Sequence, residues 1–246
     1  MSEAKKERLA KVMARAGLCS RRDAEQWIKD GRVKLNGAIR RDPAMNVGDA
    51  DEIIIDGRPL PKLESTRLWI LHKPAGFVTT ARDPEGRETV FSLLPKSMPR
   101  VVSVGRLDLN SEGLLLLTND GELSRQLELP STGLPRRYRV RIYGRIERDE
   151  LQQLRDGIVV DGIRYGSINV EFEQQQQNLN QWVIMTLHEG KNREIRRVMN
   201  ALGVEVNRLI RIAYGPFELG ALEPGRMSEV STNIVENFKR QLQDKQ

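Results

Sequence analysis

The sequence predicts an α+β protein of two domains, and three patterns support this prediction. A proline-containing segment without periodicity, residues 59–65, divides the chain near residue 62 into domains 1–62 and 63–246. The first domain has the pattern of two helices followed by a small sheet. The second has several strand patterns and few helices, which favours a mainly antiparallel mixed sheet with packed helices.

The composition is that of a folded protein with a basic surface. Hydrophobic residues make up 39% of the 246 residues and charged residues 30%, enough for a packed core. No apolar run approaches the ~18–20 residues that span a bilayer, and the N-terminus lacks the apolar segment of a secretory signal. One cysteine, two histidines and no phosphate-binding glycine loop predict neither a disulfide nor a metal or nucleotide cofactor. We therefore expect a cytoplasmic protein.

Basic residues are concentrated in three segments. Residues 1–41 hold twelve Lys and Arg against five Asp and Glu, although the whole chain carries a net charge of only +6. Residues 136–148 hold six Arg and one Glu, and residues 191–211 hold six Lys and Arg against two Glu. Any one segment could be a solvated face, but three together indicate an extended surface for a phosphate backbone.

The first domain begins with two amphipathic helices. Apolar residues at 9, 12, 13 and 16 share one helical face, and Gly17 ends that helix. Ser20 and Asp23 have the spacing of a capping box, and an apolar stripe at 24, 27 and 28 follows before Gly31. Arg22 and Lys29 lie opposite this stripe and are therefore predicted to face solvent.

A small sheet is predicted to follow the helices. Residues 33–35 form a short strand that leads into Asn36-Gly37, a strong type I′ hairpin signal. Residues 53–55 form the last strand, which Asp56-Gly57 closes.

This arrangement resembles the S4 RNA-binding domain. The likeness is carried by Arg8-Leu9, Ala16-Gly17, Ser20-Arg21-Arg22, Ala24, Ile28, Gly31-Arg32-Val33 and Asn36-Gly37. The resemblance implies that structured RNA is held across the two helices. The candidate phosphate contacts are Arg21, Arg22, Lys29 and Lys34.

The second domain is predicted to be mixed α/β. The predicted strands are 68–71, 101–104, 114–117, 138–143, 168–172 and 182–187, and the predicted helices are 122–129, 147–156 and 193–202. In the strand at 138–143, apolar residues at 138, 140 and 142 alternate with arginines at 137, 139 and 141, which predicts one buried and one cationic face. The polar run 174–177 is predicted to be a loop.

A carboxylate and a set of arginines are the chemically notable side chains. Asp108 follows the strand at 101–104 and precedes a turn-rich segment, so it is presented on a loop, although such a residue is often only a turn former. Asn192 can cap the next helix. There Arg193 and Arg197 lie far from the apolar stripe, whereas Arg196 lies near its edge. A half-buried Arg196 would need an acidic partner, and Asp108 is a candidate.

Four motifs resemble those of the RsuA-type ribosomal RNA pseudouridine synthases, in the same order. They are 72–76 (HKPAG), 105–121 (GRLDLNSEGLLLLTNDG), 137–140 (RYRV) and 189–197 (EGKNREIRR). The last motif, together with Arg208 to Arg211, looks most like the large-subunit branch, which acts on 23S rRNA. With the S4 domain, the resemblance covers nearly the whole chain.

The resemblance implies isomerisation of uridine to pseudouridine in RNA, a reaction that needs no cofactor. Asp108 is then the essential carboxylate, whether it attacks the sugar, attacks the base or takes the 2′ proton. Arg196 would keep it ionised, and Tyr138 would stack on the flipped uracil. Arg106 would fill the space that the base leaves. Lys73 is a further candidate contact, or it structures the turn at Lys73-Pro74. Arg193 and Arg197 would hold nearby phosphates.

Other functions remain open from the sequence. Within the family, the small-subunit 16S enzyme is the main alternative. A non-catalytic S4-type ribosome-assembly factor would not need Asp108, Tyr138 and Arg196 together. A nucleoside hydrolase would need a second carboxylate, for which Glu112 is the nearest candidate. The expected partner is ribosomal RNA or a pre-ribosomal large subunit, and the expected state is a monomer.

Overall fold

A computed structural model describes residues 6–173 and 178–243 of the chain. The loop predicted at 174–177 lies outside these residues. The chain divides into two compact units. The first runs to Thr66 and includes Ser97–Val102 and Asn119–Gly121, and the second contains the remainder. None of the helices in the described ranges is long and apolar enough to cross a membrane.

The first unit contains two helices and short strands. In chain order they are β1 (Glu7–Arg8), α1 (Leu9–Arg15), α2 (Arg21–Lys29), β2 (Val33–Leu35), β3 (Ala38–Ile39), β4 (Asn46–Val47), β5 (Ile53–Ile55) and β6 (Arg58–Pro59). Strands β3, β2, β5 and β6 form an antiparallel sheet in that order, and β1 pairs with β4. The apolar faces of both helices and this sheet pack into one core.

Local sequence explains most of these elements. The Ser20 hydroxyl accepts from the backbone N–H of Asp23 at 3.1 Å, and the Asp23 carboxylate accepts from the Ser20 N–H, as the capping box predicts. Asn36 and Gly37 adopt φ of 50° and 80°, the conformation that a type I′ hairpin requires. The segment predicted to divide the domains, residues 59–65, begins within the sheet and not after it. Pro59 pairs with Ile54 in the edge strand β6, where its missing N–H leaves no ladder bond unmade.

The second unit is built on one large sheet. Its elements are β7 (Leu68–Lys73), β8 (Val102–Ser103), β9 (Glu112–Thr118), α3 (Gly121–Glu128), β10 (Arg136–Tyr143), α4 (Arg148–Asp156), β11 (Val159–Val160), β12 (Ile163–Arg164), β13 (Ile168–Phe172), β14 (Asn180–Leu187), α5 (Glu194–Ala201), β15 (Glu205–Tyr214), β16 (Phe217–Glu218), β17 (Met227–Glu229) and α6 (Thr232–Gln243). The strand order is β13-β14-β10-β15-β9-β7-β17.

The sheet is mainly antiparallel, as the sequence predicts. Along the strand order above, each described pair is antiparallel except β15 with β9, where Ile210 lies opposite Glu112 and Arg211 opposite Gly113. The sequence did not predict the ten-residue strand β15 or the C-terminal helix α6, whose Val235 and Phe238 pack into the core. The short strands β11, β12, β16 and β17 were not predicted either. Strand β15 lies between the arginine-rich strand β10 and strand β9, which follows the Asp108 loop.

Candidate active site

Asp108 lies on a loop that is held by a hydrogen bond from Thr79 and by a turn of its own. The Thr79 hydroxyl donates to the Leu107 carbonyl at 2.9 Å, and the Ser111 N–H donates to the Asp108 carbonyl at 3.0 Å. The Asp108 side chain is one-third exposed. A loop fixed in this way presents a carboxylate at a constant position.

Lys73 stabilises the Asp108 loop through hydrogen bonds and does not contact solvent. The side chain is fully buried, and its ammonium donates to the carbonyls of Pro74, Leu109 and Ser111 at 3.0, 3.3 and 2.8 Å. Burial lowers the pKa of Lys73 to about 8, against the opposing effect of Asp108. This position does not agree with Lys73 as an RNA contact and agrees with the alternative that Lys73 structures the turn at Pro74.

Asp108 lines a cavity of about 200 Å³ within the second unit. Four residues that the sequence singles out line it: Arg106, Asp108, Tyr138 and Arg193. A second cavity of about 610 Å³ shares Arg106, Asp108 and Arg193 with the first and is walled by residues 78–87. The structure thus brings together the predicted carboxylate, tyrosine and two of the predicted arginines.

The arginine nearest to Asp108 is Arg193, which was predicted only as a phosphate contact. Its Nη1 lies 3.6 Å from Asp108 Oδ2. Arg193 occupies the N-cap position of α5 with φ of 51° and ψ of 33°, so the predicted Asn192 cap was wrong. The left-handed conformation places Arg193 outside the helical face on which periodicity would place it.

Arg196 does not form the predicted ion pair with Asp108 in the described part of the chain. Its Nη1 donates to the Val206 carbonyl at 2.8 Å and its Nη2 to the Asn110 carbonyl at 3.2 Å. The side chain is half-buried as predicted, and burial lowers its pKa, with the charge of Arg193 acting in the same direction. Arg196 therefore ties α5 and β15 to the loop two residues beyond Asp108.

Strand β10 has the two faces that its alternation predicts. Tyr138, Val140 and Ile142 are buried, whereas Arg137 and Arg141 are exposed. Arg139 is ion-paired with Glu173 and lies over the Trp182 ring at 4.3 Å. Arg197, predicted as a phosphate contact, is also exposed, and it donates to the Asn192 side chain at 3.1 Å.

Several residues of the cavity wall escaped the sequence analysis: Ser111, Arg136, Glu194, Arg211 and Tyr214. Arg136 shares the buried face of β10 with Tyr138, so the period of two could have identified it. Its guanidinium donates to the His188 carbonyl at 2.7 Å and to the Tyr214 hydroxyl at 2.9 Å. Ser111, Glu194 and Arg211 lie in the segments that resemble the family, but nothing in the sequence assigned a role to them individually, and Tyr214 had no signal.

Glu194 is a buried acid at the edge of the cavity. Its Oε2 accepts from the Lys191 backbone N–H at 2.9 Å. Burial raises the pKa of Glu194 to about 7, and the neighbouring Glu189 adds to this rise. Lys191 contacts Glu189 at 2.5 Å and counters the two negative charges.

Glu112, the second carboxylate that a hydrolase would need, is held in its ionised form. Arg208 Nε and Nη2 each lie 2.8 Å from its carboxylate oxygens. This hydrogen bonding lowers the pKa of Glu112 below its ordinary value. Glu112 is therefore poorly suited to act as a general acid.

In the first unit, the four candidate RNA contacts are exposed. Arg21 and Arg22 begin α2, Lys29 ends it, and Lys34 lies on β2. Arg32 is engaged differently, since it lies over the Trp27 ring at 4.4 Å and pairs with Asp56. The outward face of α2 thus carries cations at both ends.

Comparisons with known proteins identify the class to which this fold and site belong. Residues 67–201 match the RNA pseudouridylate synthase family, and residues 7–53 match the S4 domain. A crystal structure of a pseudouridylate synthase superposes with a TM-score of 0.67 at 27% identity, covering 93% of this chain and 98% of that one. The chain belongs to the RNA pseudouridine synthase family and is of the RsuA type.

Two relatives make the assignment more specific. An uncharacterised RNA pseudouridine synthase of Rickettsia typhi is 46% identical over 94% of each chain. The ribosomal large subunit pseudouridine synthase B of Yersinia pestis is 41% identical over 96% of this chain and 76% of its own. The predicted family, enzyme class and S4 domain are confirmed.

Proposed function

We propose that this chain converts a uridine of 23S ribosomal RNA to pseudouridine during maturation of the large subunit, with Asp108 as the essential carboxylate. The observation that supports this most directly is the shared cavity of Asp108, Tyr138 and Arg106. Relatives named large subunit synthase B support the choice of 23S rRNA.

Each residue has a role that its geometry permits. Tyr138 is buried against the cavity and can stack on a uracil that has left its helix or loop. Arg106 is exposed at the rim, where it can occupy the position that the base vacates. Arg193 supplies the positive charge nearest to Asp108.

The overall reaction is an isomerisation, so its atoms balance without a co-reactant. The N1–C1′ bond breaks and its electron pair stays with the uracil. The ring turns, C5 bonds to C1′, C5 loses its proton and N1 gains one. Asp108 can take part as nucleophile or as base, and each route uses its ionised form.

The assay that tests this proposal uses purified protein and unmodified transcripts of 23S and 16S rRNA. We expect pseudouridine in the 23S transcript, none with Asp108→Asn, and near-normal RNA binding by that variant. Pseudouridine only in the 16S transcript would select the small-subunit alternative. Binding without any pseudouridine would select a non-catalytic S4-type factor. Sedimentation of the same protein tests the expected monomer.

A further inference from the structure

Buried polar groups without a hydrogen-bond partner gather around the Asp108 cavity. In the described part of the chain seven side-chain atoms are of this kind, and three belong to residues that line this cavity: Ser111 Oγ, Arg211 Nη2 and Glu194 Oε1. The protonated Glu194 carboxyl can hydrogen-bond to Glu189, which leaves Ser111 Oγ and Arg211 Nη2. Native proteins rarely leave buried polar groups unpaired, and such groups often mark the site of a missing partner. The cavity is therefore suited to a polar ligand.

Arg211 is the cationic group among these. It is only 3% exposed, and its Nε donates to the Leu114 carbonyl at 2.8 Å. Its Nη2, which carries two N–H donors, is buried and has no hydrogen-bond partner within the described residues. No carboxylate there forms an ion pair with Arg211. A buried cation without an anion is costly unless a ligand supplies acceptor oxygens.

The strand holds this guanidinium in a fixed place. Gly113 lies opposite Arg211 in the parallel pair, and a Cβ at Gly113 would lie 2.3 Å from the Arg211 carbonyl oxygen. The Arg211 guanidinium also lies 5.1 Å from the centre of the Tyr214 ring, which Arg136 approaches at 4.8 Å. Arg211 is therefore positioned before any ligand arrives, as electrostatic stabilisation requires.

Tyr138 connects this arginine to the reaction. Tyr138 and Arg211 are register partners across β10 and β15, and both are buried residues of the cavity wall. Side chains directly opposite each other in antiparallel strands are neighbours. A base stacked on Tyr138 would bring its edge towards the Arg211 guanidinium.

We propose that Arg211 donates to a carbonyl oxygen of the flipped uracil and stabilises the negative charge that the ring acquires during isomerisation. This proposal rests on the proposed function. When the N1–C1′ bond breaks, the electron pair left on N1 spreads to O2 and O4. If Asp108 instead adds to the ring, the charge collects on O4. Every route thus increases the electron density on a carbonyl oxygen.

A phosphate is the other source of acceptor oxygens, and the position of Arg211 favours the base. The exposed Arg137 and Arg141 lie on the opposite face of β10, where a backbone phosphate can reach them. The cavity is small and Arg211 lies at its buried side, so the space beside the guanidinium suits one ring.

The test compares wild type, Arg211→Gln and Arg211→Lys on a synthetic RNA that carries the uridine modified in the assay above. The same RNA is then made with sulfur in place of O2 or O4 of that uridine, since sulfur is a poor acceptor. For Arg211→Gln we expect kcat to fall by about 10²–10³ with little change in KM, because the contact strengthens as charge develops. The control is Arg208→Gln, an exposed arginine of the same strand outside the cavity, with near-normal kcat.

The ratio of the rates on the oxygen and sulfur RNAs identifies the contact. At one of the two positions we expect this ratio to be about tenfold larger for wild type than for Arg211→Gln. Arg211→Lys allows the same comparison if the glutamine variant does not fold. Equal ratios at both positions would overturn the proposal, as would weaker RNA binding with a flatter salt dependence, which would indicate a phosphate. Failure of wild type to modify the RNA would instead overturn the proposed function, and this inference with it.

Discussion

Arg196 is a positioning residue in this structure, because it donates to the backbone carbonyls of Asn110 and Val206 and not to the Asp108 carboxylate. Without it the loop that carries Asp108 loses its tie to α5. For Arg196→Met we expect kcat to fall about 100-fold, as displacement of a reacting group by about 1 Å can do. Single-turnover rates and RNA binding separate this effect from a loss of affinity.

The control for Arg196 is Arg155→Gln, an exposed arginine in the last turn of α4. It should leave both the rate and the melting temperature nearly unchanged. A near-normal rate for Arg196→Met would remove Arg196 from any role in positioning Asp108.

Glu194 predicts a pH dependence of stability. Its folded-state pKa of about 7 lies above the ordinary value of 4.5. Folding therefore favours the protonated form, and the stability that this group contributes is full below about pH 4.5 and lost as the pH rises through about 7. Glu194→Gln cannot ionise and escapes this loss. We expect the melting temperature of the variant minus that of wild type to be more positive at pH 8 than at pH 5.

A difference between the two melting temperatures that stays constant from pH 5 to pH 8 would contradict this account of Glu194. Comparison within a pair of proteins removes the contributions of the other titrating groups. Glu189 and Lys191, which face Glu194, are present in both.

At the scale of elements, the parallel pair of β9 with β15 depends on Gly113. This residue has φ of 103°, and a Cβ there would meet the backbone of Arg211 at 2.3–2.9 Å. We expect Gly113→Ala to lower the free energy of unfolding by about 2 kcal/mol or more, because the Arg211 backbone cannot move away from the new Cβ without strain. Denaturant unfolding measures this change.

Gly121→Ala is the matched control for Gly113→Ala. Gly121 begins α3 without a positive φ, and a Cβ there meets nothing within 4 Å. Alanine should be neutral or slightly stabilising at that position. Equal effects of the two substitutions would show that the β9–β15 contact is looser than the structure indicates.

At the scale of the whole molecule, strong local patterns made the fold and half of the site predictable. The alternation in β10 located Tyr138 on a buried face, and Asn36-Gly37 located a hairpin. The position of Arg193 was predicted wrongly because its own left-handed backbone conformation takes it out of the helical periodicity. Arg211 was not found because its neighbours in the cavity come from β9, β10 and α5, which are distant in sequence.

RNA binding by the first unit gives a prediction that is separate from the chemistry. Arg22→Glu with Lys29→Glu should weaken RNA binding and flatten its dependence on salt by about two in the logarithmic slope, if each cation meets one phosphate. The rate for bound RNA should not change. Titrations between 50 and 200 mM salt, about the range in which such contacts are lost, measure the slope.

Arg58→Glu with Lys62→Glu is the control, since both residues are exposed in the same unit and the change in net charge is identical. An equal loss of affinity in the control would mean that total charge, and not the face of α2, determines binding.

The most direct test of the central claim is a pseudouridine map of ribosomal RNA from cells that lack this protein, rescued by wild type or by Asp108→Asn. We predict that one 23S pseudouridine disappears in the deletion, returns with wild type and stays absent with Asp108→Asn. A map that the deletion leaves unchanged, or a site that Asp108→Asn restores, would contradict the assignment of Asp108 as the essential carboxylate of a 23S pseudouridine synthase.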